Sequence, residues 1–423
     1  DRLGHYRREV TGAYRGTRLA DIGSDAVPSV VVIGGGLGGI AAAIALRERG
    51  ARGTLGEQKA SLGGRLASSH DLPAPVFPVF KHFYNIRSLL SRIDPKLTSL
   101  TSIGAPVSVN VLGVQNDLEK LARTVPVNLL SYFRQSRFLR LSDYRQIDTS
   151  MLRTLVAFDP LMRSTIGQEQ TAAEFLDQLG LPLEARGEVF RTLSNITTAR
   201  ENDLSAIEFL SLLHFQFLGN PEGLVIEMTK ESPADAIFRP FERLLGQLGV
   251  TLCLGQPAKS IEWKGPWEPV TVDLGGATLN ASSAVLALPA RALVNLVGSS
   301  PTLKQSDTFV RQISNLRSQG VSTLVRLELD KAPLPDRAKF MSIVDHPMFN
   351  TAVRLDQVEG TYHRETLRNG GSVIQLQGVA TRGTDPALQQ RDALVLICHL
   401  WPELRGCTVR NNSHSEVETM PSC

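Results

Sequence analysis

The sequence predicts an α/β protein: a parallel-sheet nucleotide-binding unit near the N-terminus, a helical insertion, and a mixed-sheet region behind it. Three observations carry this. The apolar run Val30–Ile33 is followed at once by a cluster of glycines. Residues 75–230 hold no second cluster of that kind and show apolar residues at helical spacing. From residue 250 onward, short apolar runs punctuated by turn residues return.

The first element needs separating from a membrane span. Val27–Leu46 carries no charge over 20 residues, about the length that crosses a bilayer. However, Pro28, Ser29, Gly34, Gly35, Gly36, Gly38 and Gly39 crowd its N-terminal part and would disorder a helix there. The stretch parses instead as a buried strand Val30–Ile33, a glycine turn, a helix Leu37–Arg49 and a second strand Thr54–Glu57.

Gly34-x-Gly36-x-x-Gly39, set between strand and helix, has the spacing of a Rossmann-type dinucleotide-binding βαβ unit. Gly34 serves the tight turn, Gly36 the close approach of backbone to a diphosphate, and Gly39 the packing of helix on strand. The helix N-terminus at Leu37 and Gly38 supplies amide donors and a positive dipole end. Glu57 stands where an acid bonds the ribose hydroxyls, and an acid there disfavours a 2′-phosphate. Six residues on, Gly63-Gly64-Arg65 favours a flavin over a nicotinamide, because the doublet lets backbone pass against the cofactor and Arg65 offsets diphosphate charge. The expected cofactor is FAD.

Val30 to Glu57, followed by Leu62 to Leu66, resembles the flavin-dependent amine oxidase and phytoene desaturase superfamily. Two further stretches, Phe80 to Pro95 (FKHFYNIRSLLSRIDP) and His214 to Leu224 (HFQFLGNPEGL), resemble the carotene desaturases of the isorenieratene synthase type. The likeness runs from about Val30 to Glu403. It implies removal of hydride from an apolar polyene end group, a carotenoid substrate, and backbone contact of Ala258 with the adenine. It also implies a peripheral membrane location, on the cytoplasmic side or the plastid thylakoid, without secretion. A rod-like hydrocarbon calls for an elongated apolar cavity near Phe209–Leu224, between the cofactor domain and the insertion.

Along the chain, helices are expected at Ala172–Leu179, Leu183–Leu193, Ala206–Phe217 and Pro386–Leu400. Strands are expected at Val250–Leu254, Lys259–Trp263, Val270–Leu274, Ala284–Leu288, Ser322–Leu329 and Ser372–Val379. The domains follow: an N-terminal extension 1–28, an FAD-binding domain of 29–74 with 235–300, a substrate domain of 75–234 with 301–385, and a C-terminal segment 386–423 that reads as truncated relative to the family.

Two features depart from the family pattern. None of the 35 glycines is followed by Asp, whereas members use a C-terminal Gly-Asp pair at the flavin. Gly53 and Gly56 dilute the second strand of the βαβ unit, each weakening it by roughly 0.5–1 kcal/mol relative to Ala. Both features also suit a second reading, a catalytically degenerate FAD fold serving as an accessory subunit of a membrane or pigment-protein complex.

Composition narrows the partners. Lys and Arg total 45 against 42 for Asp and Glu, and charged residues are 21% of the chain, too even a balance for a nucleic-acid binder. The four cysteines form no C-x-x-C pair, so no zinc or redox motif is indicated. Asn195, Asn280 and Asn411 lie in glycosylation sequons, a short pattern that arises by chance. No metal site and no specific catalytic side chain can be assigned from sequence. His214, among Leu213, Phe215 and Phe217, reads as a core histidine. Tyr132–Tyr144, with Arg134, Arg137 and Arg140 beside Phe133, Phe138, Leu139 and Leu141, is a candidate helix for an anionic membrane surface.

Overall fold

The computed structural model describes residues 27–67, 73–124, 127–137, 139–140, 142–159, 170–194, 201–220, 222–265, 268–316, 321–380 and 383–418. The N-terminal extension up to residue 26, Phe138, Leu141 and Asn195 lie outside them. The chain forms two compact units, residues 1–68 with 84–97 and 233–318, and residues 69–83 with 98–232 and 319–423.

The first unit is built on a parallel sheet in the order Ser283–Leu286, β1 (Ser29–Ile33), β2 (Arg52–Glu57), Thr251–Leu254. Helix α1 (Leu37–Glu48) links β1 to β2. Val30, Val31, Val32 and Ile33 are each at most 7% exposed, and burying such side chains contributes roughly 1.5–3 kcal/mol apiece. That outweighs the cost of Gly53 and Gly56. Gly56 also has a packing reason, since a Cβ there would stand 3.2 Å from the Leu274 side chain. Leu274 follows the central strand of an antiparallel sheet, Thr278–Ala281, Val270–Asp273 and Ser260–Glu262, and it shares a core with Val31, Ile33, Ile261 and Leu296. β2 begins two residues before its apolar pattern does, because Arg52 N–H donates to Pro28 O at 2.8 Å.

Two stretches join this unit that the sequence boundaries placed elsewhere. Residues 84–97 are tied in by Arg92, which pairs with Glu48 at the end of α1. Residues 301–318 are tied in by Thr302 Oγ1, which accepts from Trp263 N at 2.9 Å and donates to Ile261 O at 3.2 Å.

The second unit carries a seven-stranded mixed sheet in the order Val409–Glu418, Val321–Leu329, Ser372–Ala380, Phe349–Arg354, Phe340–Ile343, Val107–Val109, Gln115–Asp117. Helix Pro386–Leu400 lies on one face, where Ala393, Leu396 and Ile397 pack with Val325, Leu327, Ile374 and Leu376. Pro386 opens this helix and the Asp385 carboxylate accepts from Ala387 N at 3.0 Å, a capped start. Since Val409–Glu418 pairs along Val321–Leu329, residues 386–418 belong to this unit and are not a separate segment.

The insertion is only partly helical. Ala172–Leu179, Leu183–Ser194 and Ala206–Leu213 bury Phe175, Leu176, Leu179, Phe190, Phe209 and Leu210 in one cluster, and Thr171 with Glu174 forms a capping box. The same insertion also supplies short strands. Val79–Phe80, Ile226–Thr229 and Leu100–Gly104 form a sheet of their own, while Val107–Val109 and Gln115–Asp117 extend the large one. The expected helix Ala206–Phe217 changes at His214–Leu218 into wider π-type turns. There Gly219 N donates to His214 O at 2.5 Å and Asn220 Nδ2 to Phe215 O at 2.6 Å.

Candidate cofactor-binding site

The glycines between β1 and α1 divide into two kinds. Gly34 has φ +111°, and a Cβ there would stand 2.3 Å from Ala287 O; a Cβ on Gly39 would stand 1.8 Å from Gly34 O. Both are demanded by the fold itself. Gly36 has an ordinary φ of −76°, and a Cβ there would meet only Gly64 Cα, at 3.8 Å. From the other side, a Cβ on Gly64, at φ +55°, would come within 3.0 Å of Gly36 Cα. Two bare backbones therefore face each other, locked by Gly63 N donating to Gly35 O at 2.9 Å. The surface between them is free of side chains, as a group that must lie against main chain requires. Leu37 and Gly38 begin α1, with open space around the position of a Gly38 Cβ.

Glu57 closes β2 and is 6% exposed. Its Oε2 accepts from Gly35 N at 2.6 Å and its Oε1 from Lys59 N at 2.9 Å, while Lys59 Nζ donates to Gly64 O at 3.0 Å. The acid thus braces the glycine turn and the second doublet together. The chain after Thr251–Leu254 is fastened to the same place, with Gln256 N donating to Glu57 O at 3.0 Å and Gly255 N to Lys59 O at 2.8 Å. Ala258 follows, half-buried against the Ile261 and Leu274 core. Gln256 Oε1 is buried without a hydrogen-bond partner, an acceptor available to a donor on a bound molecule.

The structure therefore brings Gly34, Gly36, Gly39, Glu57, Gly63 and Gly64 into one cradle, with Leu37 and Gly38 at the helix start and Ala258 near Gln256. Arg65 lies in the short turn Gly64–Leu66, half-buried and engaged by neighbouring groups. Gly35, Lys59 and Gln256 were not singled out from sequence. Gly35 sits inside the fingerprint at a position free to vary, and Gln256 comes from two hundred residues away with no local mark. A main-chain cradle, a ribose-type acid and an orphan acceptor fit an adenine dinucleotide.

Elsewhere the expectations fare unevenly. His214 is a core histidine: its Nε2 lies 2.7 Å from Leu155 O, Phe158 packs against the ring, and burial lowers its pKa. The basic helix Tyr132–Tyr144 does not form. The helix here is Val127–Gln135, and it stops where Asn116 Oδ1 takes the Arg137 N–H at 3.0 Å. Tyr132 turns inward, its hydroxyl donating to Glu188 Oε2 at 2.7 Å. Glu188 is fully buried and also accepts from Asn116 Nδ2 at 2.8 and 3.0 Å. Burial pushes the Glu188 carboxyl up, and pushes Tyr132 well up with help from the neighbouring acid.

Two cavities lie wholly within the second unit. One of about 400 Å³ is lined by polar and charged groups such as Asn116, Asp117, Lys120, Arg137, Asp336 and Arg337, and by none of Phe209–Leu224. The other touches Gln216, Phe217, Asn220 and Leu224 but encloses only about 20 Å³, room for a water rather than a polyene. Among the described residues no helix is long and apolar enough to cross a membrane, and no group of three metal-ligating side chains occurs.

Comparison with known proteins gives these features a lineage. Residues 32–99 match the NAD(P)-binding Rossmann-like domain family. The fold is similar to that of putrescine oxidase, at a TM-score of 0.67 and 15% identity over 92% of this chain and 84% of that one. A carotenoid phi-ring synthase from Chlorobaculum tepidum is 29% identical over 62% of this chain and 42% of the relative. A carotenoid phi-ring synthase from Streptomyces griseus is 30% identical over 401 residues, 92% of this chain and 76% of the relative. By that likeness, and by the Rossmann cradle that it includes, the chain belongs to the carotenoid phi-ring synthase family.

Proposed function

We propose that this chain is an FAD-dependent oxidoreductase that removes hydride from the apolar end group of a carotenoid. The cofactor assignment rests on one observation above all, the apposition of Gly36 and Gly64 as bare backbone. In this reading the diphosphate lies over that pair, Glu57 holds the ribose, Ala258 and Gln256 flank the adenine, and Arg65 offsets charge. A flavin so held supplies a hydride acceptor, which leaves the protein to position an apolar substrate and exclude water. The carotenoid assignment rests on kinship with the two phi-ring synthases.

Gly36→Val tests the cofactor assignment cleanly. Its φ is ordinary and its Cβ would meet only van der Waals contact, so the variant folds, while the added methyls fill the cradle. Flavin retention, read as visible absorption of the purified protein, is expected to fall about tenfold or more, the equivalent of 1.4 kcal/mol. Unchanged occupancy in a folded Gly36→Val protein overturns the assignment.

We also propose peripheral contact with an anionic lipid surface through helix Val127–Gln135. Val127 and Leu130 are 47% and 66% exposed, and residues 120–145 hold Lys120, Arg123, Arg134, Arg137, Arg140 and Arg145 against Asp143 alone. Exposed apolar side chains in a stretch with this excess of cations suit such a surface. Cosedimentation with vesicles containing anionic lipid, weakened by salt and by Leu130→Asp, is the expected result. Binding that Leu130→Asp leaves intact excludes this surface.

A further inference from the structure

Cys398 lies in the last turn of helix Pro386–Leu400, and Cys407 lies two residues before strand Val409–Glu418. Both are half-buried and pack against the same core, which contains Trp401 and Leu404. The chain between them doubles back through the turn Pro402–Leu404, with Leu404 N on Trp401 O at 2.9 Å and Gly406 at φ +68°. As a result both cysteines converge on one carbonyl. Leu404 O accepts from Cys407 N at 3.0 Å and from Cys398 Sγ at 3.6 Å, and the two thiols are close enough for each to influence the other's charge. Lys331 stands alongside, its Nζ donating to Arg405 O at 2.7 Å.

We propose that Cys398 and Cys407 form a redox-active thiol pair, a modification site that closes to an intramolecular disulfide by exchange with a low-molecular-weight disulfide. The two cysteines are brought to one carbonyl without a C-x-x-C motif, because the turn after the helix folds the chain back on itself. The bridge joins the helix that covers the large sheet to that sheet's edge strand, Val409–Glu418, and so staples an edge that offers its backbone to other chains.

The chemistry balances as ordinary exchange. The Cys407 thiolate attacks one sulfur of oxidised glutathione; that S–S bond breaks and the first glutathione departs as thiolate, taking up a proton. Cys398 then gives up its proton and attacks the Cys407 sulfur of the mixed disulfide, and the second glutathione departs in the same way. Two protein thiols are oxidised and one glutathione disulfide is reduced. Burial and the neighbouring thiol push Cys398 up to about 11, against the pull of Arg405 and Lys331. In the mixed disulfide Cys407 is no longer a thiol, but burial still holds Cys398 up, so the closing attack accelerates as pH rises.

The test uses the whole chain, incubated with oxidised glutathione, alkylated in denaturant and digested with trypsin, which cuts at Arg405 between the two cysteines. The expected product is a pair of peptides joined through Cys398 and Cys407, two hydrogens lighter than their sum and resistant to alkylation, while Cys253 is alkylated. Cys398→Ser should stop at a glutathione adduct on Cys407, and oxidation should raise the melting temperature of the parent protein but not of Cys407→Ser. Alkylation of both cysteines after oxidation, or pairing of either with Cys253 or Cys423, overturns the proposal.

Discussion

At the scale of single residues, the glycines show how far a sequence motif carries physical meaning. Gly34, Gly36 and Gly39 stand in one fingerprint, yet the spacing gives them three separate roles: the turn, the approach to a diphosphate and the packing of helix on strand. The packing separates them in the same way: Gly34 and Gly39 have no room for a Cβ, whereas Gly36 has an ordinary backbone angle and spare space. Gly39→Ala is thus the control for Gly36→Val: its Cβ would stand 1.8 Å from Gly34 O, an overpacking that costs about 3 kcal/mol in urea or thermal unfolding. The two substitutions should separate, one losing stability and the other losing cofactor. Glu57 was legible by its distance from the fingerprint, but its brace on Gly35 N and Lys59 N was not, since a side chain's choice of backbone donors depends on where the turn ends.

At the scale of elements, strands and helices with strong local patterns were readable, and those fixed by tertiary partners were not. Helices Ala172–Leu179 and Pro386–Leu400 were read with their observed bounds because caps and apolar spacing agree. The helix at Val127–Gln135 was misread because its inward side is chosen by a buried acid on helix Leu183–Ser194, some fifty residues further along the chain. Glu188 draws in Tyr132, Asn116 and Ser136, so an aromatic assigned to the surface becomes part of the interior. Tyr132→Phe keeps the ring's packing and removes one donor from Glu188, which retains those of Asn116 and Ser136. A loss of about 1–2 kcal/mol in denaturant midpoint analysis is expected. No loss would mean that the tyrosine hydroxyl does not fasten this helix.

At the scale of the whole molecule, the two units differ in how they answer acid. The histidines among the described residues, at 82, 214, 346, 363, 399 and 414, all lie in the second unit. Burial lowers four of them: His82 to about 4, eased by Gln216; His214, eased by Leu155 O and Asp159; His346, eased by Asp392 and Asp345; and His414, eased by Glu416. His82 is the extreme case, 1% exposed among Phe80, Phe83 and Phe215, with neither ring nitrogen in a well-formed hydrogen bond. Unfolded histidine takes up its proton near 6.5, whereas these take it up lower, so their contribution is present above that pH and is lost as pH falls below it, for His82 down to about 4. For His82 alone the full loss is about 3 kcal/mol. Glu188 works in the opposite sense: its raised pKa returns stability as pH falls towards its ordinary value, one group against four. The Arg337 pair holds Glu403 near about 2, so that contribution is lost only below about 4.5 and does not begin the transition. Hydrogen exchange corrected for intrinsic rates should therefore show the strands of the second unit losing protection between pH 7 and 5, while β1 and β2 of the first unit hold. His82→Phe, which keeps the aromatic packing and removes the titration, should flatten that loss by up to about 1.4 kcal/mol per pH unit. If β1 and β2 open first, or if His82→Phe follows the parent curve, acid sensitivity does not originate in these buried imidazoles.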